Sequence, residues 1–189
     1  MSALLEIENL KVTFDTSIER VIALDNISIT VQRGEIVGII GNSGSGKSTI
    51  AKTILGLNHT NQRNEGKVLY QNDHSSNILE MEPKDLNHLR KEKIGIVFQN
   101  PLKSLNPTKK IKKQIQEIYK LHSKDFDEAT ITNQLQKVGL TKDVSKILNS
   151  FPHQLSGGQQ QRIIIAIALT SKLRVLILDE PMSSLDQSN

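Results

Sequence analysis

The 189-residue sequence has no cysteine and no tryptophan, and aromatic side chains make up only 3% of it. Without thiols there are neither disulfides nor thiolate metal sites, an inventory that suits a reducing compartment. So few rings leave little on which to stack bases, which argues against single-stranded nucleic acid as a partner. No stretch reaches the roughly 20 consecutive apolar residues of a membrane-spanning helix. The opening MSALLEIENLK also lacks the charged-then-apolar layout of a secretory signal, so the expected location is the cytosol. A strong excess of one charge is missing too: 24 Lys and Arg face 20 Asp and Glu, a net of +4. The densest basic cluster, Lys109, Lys110, Lys112 and Lys113, interleaves with isoleucines and reads as a solvated helix face rather than a nucleic-acid patch.

What is present is ordinary for a soluble globular chain, 37% hydrophobic and 23% charged, at a length that supports one core with a small insertion. Two alternating runs, Leu5 to Phe14 and Ile27 to Val31, predict half-buried antiparallel strands. IVGII at 36 to 40 is apolar on both faces, which predicts a strand covered on both sides and feeding a glycine-rich loop. Residues 59 to 66 read as a polar, turn-rich stretch, Val68 to Tyr70 as a short strand, and Pro83 as the start of a brief helix carrying Leu86 and Leu89. IGIVFQ at 94 to 99 predicts a further buried strand. From Asn100 to about Ser150 the period becomes helical, with one stripe at Ile111, Ile115 and Ile118 and a second at Ile131, Leu135 and Val138 that stops at Gly139. A helix from Gly157 to about Ser171 and a buried strand, VLILDE at 175 to 180, complete the pattern.

Three stretches carry chemistry. Gly41, Asn42, Ser43, Gly44, Ser45, Gly46, Lys47 and Ser48, followed by Thr49, fit G-x-x-x-x-G-K-[ST] between an expected strand and an expected helix. Glycines let the backbone wrap a phosphate with its amides inward, and the helix N-terminus adds partial positive charge. Lys47 then reaches the β and γ phosphates, and the Ser48 hydroxyl takes Mg²⁺. At the end of VLILDE, Asp179 and Glu180 are neighbours whose side chains leave a strand on opposite faces. That suits Asp179 to Mg²⁺ and Glu180 to orienting or deprotonating the attacking water. Finally, Ser156, Gly157, Gly158 and Gln159 open a long helix and repeat the anion-binding physics of a helix N-terminus; alone, such a stretch is more often a cap.

The ordered set GNSGSGKST, Gln99 after an apolar strand, LSGGQQQR at 155 to 162, VLILDE, and Ser184-Leu185-Asp186 closely resembles ABC transporter ATPases over nearly the whole chain. FQNPLKSLNP at 98 to 107 and FPHQLSGGQQQR at 151 to 162 look most like the ATPase subunits of peptide, nickel and metallophore importers. The resemblance implies an α/β fold of the P-loop NTPase class with an N-terminal antiparallel β-subdomain. Residues 1–99 and 156–189 would form the nucleotide-binding core and 100–155 an inserted helical subdomain. It implies an ATPase using ATP and Mg²⁺, peripheral on the cytoplasmic face of the cell membrane. A second ATPase subunit would meet it head to tail, so that Ser156, Gly157, Gly158 and Gln159 bind the partner's γ-phosphate. Gln99 resembles the glutamine that contacts Mg²⁺ and the attacking water, and Asp186 the residue that links sites across the dimer. Membrane permease subunits would dock on Gln99 to Pro107, with an extracytoplasmic substrate-binding protein completing the system. Phe14 is the nearest match to the family's adenine-stacking aromatic, although extra residues before Val21 leave a core phenylalanine equally open.

One departure bears on activity. The family's switch histidine follows the Asp186 region on a strand that lies between the phosphate-loop strand and the strand ending in Asp179, whereas His59, His74, His88, His122 and His153 all precede Asp179. The expectation is a C-terminally shortened copy whose sheet lacks its last core strands and has a central gap, and which binds nucleotide without appreciable turnover. Two other readings stay open: a soluble ABC ATPase working on ribosomes or DNA, and a nucleotide-binding fragment without turnover.

Overall fold

The alternating residues near the N-terminus form long paired strands. β1 (Ala3–Asp15) runs antiparallel to β2 (Arg20–Gln32) on one side and to β3 (Gln62–Gln71) on the other, with β4 (Ser75–Asn77) outermost, giving the order β2-β1-β3-β4. The structure is a computed structural model that describes residues 3–71, 75–98, 104–122, 126–170 and 173–179. Its contacts divide the chain into two units, Met1–Arg90 and Lys91–Asn189.

In the first unit, Leu5, Ile7, Leu10 and Val12 of β1 are buried, with Val68 and Tyr70 of β3 paired to Ile7 and Leu5. The expected strand at 68 to 70 is longer than its apolar part, because the first half of β3 ladders onto β1 through its backbone while Arg63 and Glu65 face solvent. Hydropathy does not register a strand whose side chains stay wet. The helix after the glycine-rich loop, α1 (Lys47–Ile54), buries Ile50, Ala51 and Ile54. Its C-terminal carbonyls are satisfied by Arg90 of α2 (Pro83–Glu92), which donates from Nε to Leu55 O at 2.7 Å and from Nη2 to Gly56 O at 2.9 Å.

The expectation for 36 to 40 is overturned. These residues form no strand, and Ile36 and Ile40 are 97% and 98% exposed. A strand exists only through ladder partners, and among the described residues none pairs with this run.

In the second unit, β5 (Ile94–Val97) and β6 (Val175–Leu178) pair in parallel, Ile94 with Val175 through Val97 with Leu178. β6 is half-buried rather than fully covered, because β5 is its sole ladder neighbour among the described residues. Around it pack α3 (Ile111–Leu121), α4 (Glu128–Lys137), α5 (Val144–Asn149) and α6 (Gly157–Thr170). The two expected stripes meet here: Ile111, Ile115, Ile131, Leu135 and Ile163 are wholly buried in one cluster. Asp127 caps α4 by accepting from the amides of Ala129 and Thr130. Helix α4 stops where Gly139 takes φ 84°, with the amides of Gly139 and Leu140 bonded back to Gln136 O and Leu135 O. Of the basic cluster, Lys109 donates to both carboxylate oxygens of Glu117 and Lys112 to Glu128.

Candidate functional site

The glycine-rich loop leads directly into α1, and residues 41 to 45 lie open to solvent. Gly46 is the N-cap of α1 at φ 92°, and a Cβ there would come within 2.7 Å of Ala23 O and 2.6 Å of Leu24 Cδ2. Only glycine fits both that dihedral and that approach. The pairing of β1 with β2 passes from Val12–Leu24 to Thr13–Ile22, so Ala23 is the extra residue of a bulge, and its carbonyl packs on Gly46. Lys47 extends over the loop, with Nζ donating to Gly41 O and Asn42 O at 2.8 Å each. The ammonium of the first residue of α1 therefore reaches back to the two carbonyls that open the loop. A helix N-terminus without acids in its first turn, plus a fixed ammonium, concentrates positive potential at one point.

Phe14 pairs with Val21, two residues along β2 from Ala23, which is roughly 7 Å of strand. It is half-buried, and its ring and that of His59 meet at a steep angle with centroids 6.0 Å apart. Phe14 therefore lies on the same hairpin as the bulge that packs on Gly46. His59 escaped sequence reasoning because the turn that carries it is polar; Gln62 Oε1 accepts from its amide at 3.2 Å.

The second unit carries Ser156 and its neighbours. The Ser156 hydroxyl accepts from the Gln159 amide at 3.3 Å, while Gln159 Oε1 accepts from the Ser156 amide at 3.0 Å, a reciprocal cap on α6. Beside it opens a cavity of about 310 Å³ lined by Ser156, Gly158, Gln159, Gly139, Lys142 and Arg162 among others. Arg162 Nη1 donates to Gly139 O at 3.1 Å and would be 2.5 Å from a Cβ on Gly139, so the end of α4 is keyed onto α6. Lys142 and Arg162 were not singled out from the sequence; Arg162 lies six residues beyond Ser156, nearly two turns along the same helix.

Asp179 follows β6, half-buried, with its amide donating to Val97 O at 2.9 Å. Gln99, Glu180 and Asp186 lie outside the described residues, as do residues 100 to 103 of the expected docking segment. The described end of that segment is tied to α3 by Gln114, which accepts from the Asn106 amide and donates to Asn106 O, with Leu105 buried. Among the described residues no three His, Asp or Glu side chains gather into a metal cluster, and no helix is long and apolar enough to cross a membrane.

Comparison with known proteins identifies the family of the chain. The ABC transporter family model matches residues 24–183. The dipeptide transport ATP-binding protein DppD of Lactococcus lactis subsp. cremoris is 39% identical over 187 residues, covering 96% of this chain and 52% of the relative. The oligopeptide transport ATP-binding protein OppD of Salmonella typhimurium is 36% identical, covering 98% and 55%. The chain thus spans about half the length of the curated relatives it matches. Among solved structures, the ATP-binding cassette MJ0796, in a dimeric post-hydrolysis state bound to ADP and Pi, superposes with a TM-score of 0.79 at 29% identity, covering 97% of this chain and 76% of that one. The fold is accordingly that of a P-loop ABC ATPase cassette. With the family model matched over most of its length, the chain belongs to the ABC transporter family.

Proposed function

We propose that this chain binds Mg-ATP and, in an assembled importer, couples its binding and hydrolysis to the uptake of peptides. The observation that carries the reading is the phosphate loop: an ammonium held 2.8 Å from Gly41 O and Asn42 O, on the first residue of a glycine-capped helix. Incoming phosphate oxygens exchange those carbonyls for a better partner of the same cation. Phe14 receives the adenine face, and the Gly41 to Thr49 segment holds the phosphates. Ser48, Gln99 and Asp179 offer hard oxygen donors of the kind magnesium prefers. Bound there, the ion would neutralise charge on the β and γ phosphates. Glu180 and Gln99 orient the attacking water, and Lys47 stabilises charge on the transferring group.

A second ATPase subunit supplies the other half of each site. Ser156, Gly157, Gly158 and Gln159 close on the partner's γ-phosphate, and Asp186 couples the two sites. Residues 99–107 receive the permease subunits at the cytoplasmic face of the membrane, and an extracytoplasmic binding protein delivers the cargo. Peptides are favoured over nickel or metal chelators because the relatives named above are dipeptide and oligopeptide transport proteins. Calorimetry with Mg-ATP tests the reading: wild type releases heat on binding and Lys47→Ala loses it. Unchanged affinity in Lys47→Ala would refute the phosphate-loop assignment. Uptake of a labelled dipeptide but not nickel, abolished by Glu180→Gln, checks the cargo class.

A further inference from the structure

Gln160, on the first turn of α6, is only 4% exposed, an unusual place for a primary amide. Its Nε2 donates to Pro152 O at 2.8 Å and to Leu155 O at 3.0 Å, the two ends of a short 3₁₀ turn over Pro152–Gln154. Its Oε1 is buried without a hydrogen-bond partner. A buried amide with half its capacity unmet is disfavoured against an apolar side chain of equal size, so its two donor bonds call for an explanation.

The explanation lies in the peptide group between Leu155 and Ser156. Its carbonyl is held by Gln160 and its N–H by Gln159 Oε1 at 3.0 Å, so two successive glutamines pin one peptide plane from opposite sides. The turn before it is closed by Leu155 N on Pro152 O and by Gln154 Oε1 on the Phe151 amide. Because a peptide group is rigid, fixing its plane fixes the direction in which the Ser156 side chain and the following amides leave the backbone.

We infer that Gln160 is a positioning residue: it sets the plane of the Leu155–Ser156 peptide and thereby aims Ser156 and the Gly157 and Gly158 amides at the γ-phosphate held by the partner subunit. The inference rests on the function proposed above. It explains the buried donors, since carbonyls at both ends of the turn need them, and it accounts for the orphaned Oε1 as a by-product of choosing an amide.

Three variants test it in the intact subunit assembled with its partner. Gln160→Met and Gln160→Glu keep the size and lose both donors, whereas Gln160→Lys keeps a donor for the two carbonyls. For Met and Glu, kcat for ATP hydrolysis is expected to fall about tenfold or more, while Mg-ATP affinity at the subunit's own phosphate loop stays within about twofold. Gln160→Lys is expected to recover most of the lost turnover. Full turnover in Met or Glu overturns the inference. So does a loss of Mg-ATP affinity in step with kcat, or a Lys variant as impaired as the others. If Met does not fold, Glu and Lys decide between them. A wild-type assembly that binds Mg-ATP without hydrolysing it strikes at the proposed function instead, and the inference falls with it.

Discussion

At the residue scale, Asp15 accepts Nε–H from Arg20 on one strand and from Arg63 on another, at 2.8 and 2.6 Å. Those two hydrogen bonds lower its pKa below the ordinary carboxylate value, with the guanidinium charges adding to the effect. A carboxyl with a lowered folded-state pKa stabilises the fold above the unfolded-chain value, and that contribution is lost as pH falls through the folded value. Asp15→Asn should therefore lower the Tm at pH 7, and the gap from wild type should begin to close below about pH 4. The site is exposed, so high salt should shrink the gap as well. An equal gap at pH 3 and pH 7 would rule out the linkage. Gly46 allows a second test. Ala at φ 92° against the Ala23 carbonyl should cost roughly 1–3 kcal/mol, read from the denaturant midpoint, and should weaken Mg-ATP binding as the loop shifts.

Elements answer to packing rather than to single contacts. Ile131 of α4 is fully buried among α3 and α6 residues, and Ile131→Ala should destabilise by about 2–5 kcal/mol in urea titration. A change under 1 kcal/mol would mean that the two helical stripes do not meet as described. The run at 36 to 40 is the contrary case: strand-length, apolar and without a ladder partner among the described residues. Such a surface invites association between chains. Ile40→Lys should lower light scattering of the 189-residue chain at micromolar concentration, and identical scattering would show that this segment does not drive association. The helices were readable beforehand because Ile111, Ile115, Ile131, Leu135 and Gly139 carry both period and stop signal. The first half of β3 was not, since Arg63 and Glu65 face water and only their backbone is committed.

For the whole molecule, ligand linkage is the relevant quantity. Mg-ATP at about 100 times its Kd should stabilise the unit that carries the loop by about 2.7 kcal/mol. A thermal melt would show this as a rise of several degrees, absent in Lys47→Ala. A melt insensitive to Mg-ATP would contradict the phosphate loop as a binding site. Much of the candidate site was legible in advance because its chemistry is local: nine consecutive residues from Gly41 to Thr49 contain the glycines, the cation and the helix start. The Ser156 cap was legible for the same reason, its partner Gln159 lying three positions away.

The sequence by itself determined the glycine-rich loop and the serine-glycine helix start, the helical stripes and the family, because each is written in neighbouring residues or in a short period. Tertiary structure alone decided which carbonyl Gly46 packs against, that the rings of His59 and Phe14 meet, that Arg162 keys the end of α4, and that Gln160 pins the Leu155–Ser156 peptide. These contacts join residues by strand register, by a bulge at Ala23, or by a turn folding back on its own helix. Only the folded chain's geometry, and not the order of its residues, brings such groups within hydrogen-bond reach.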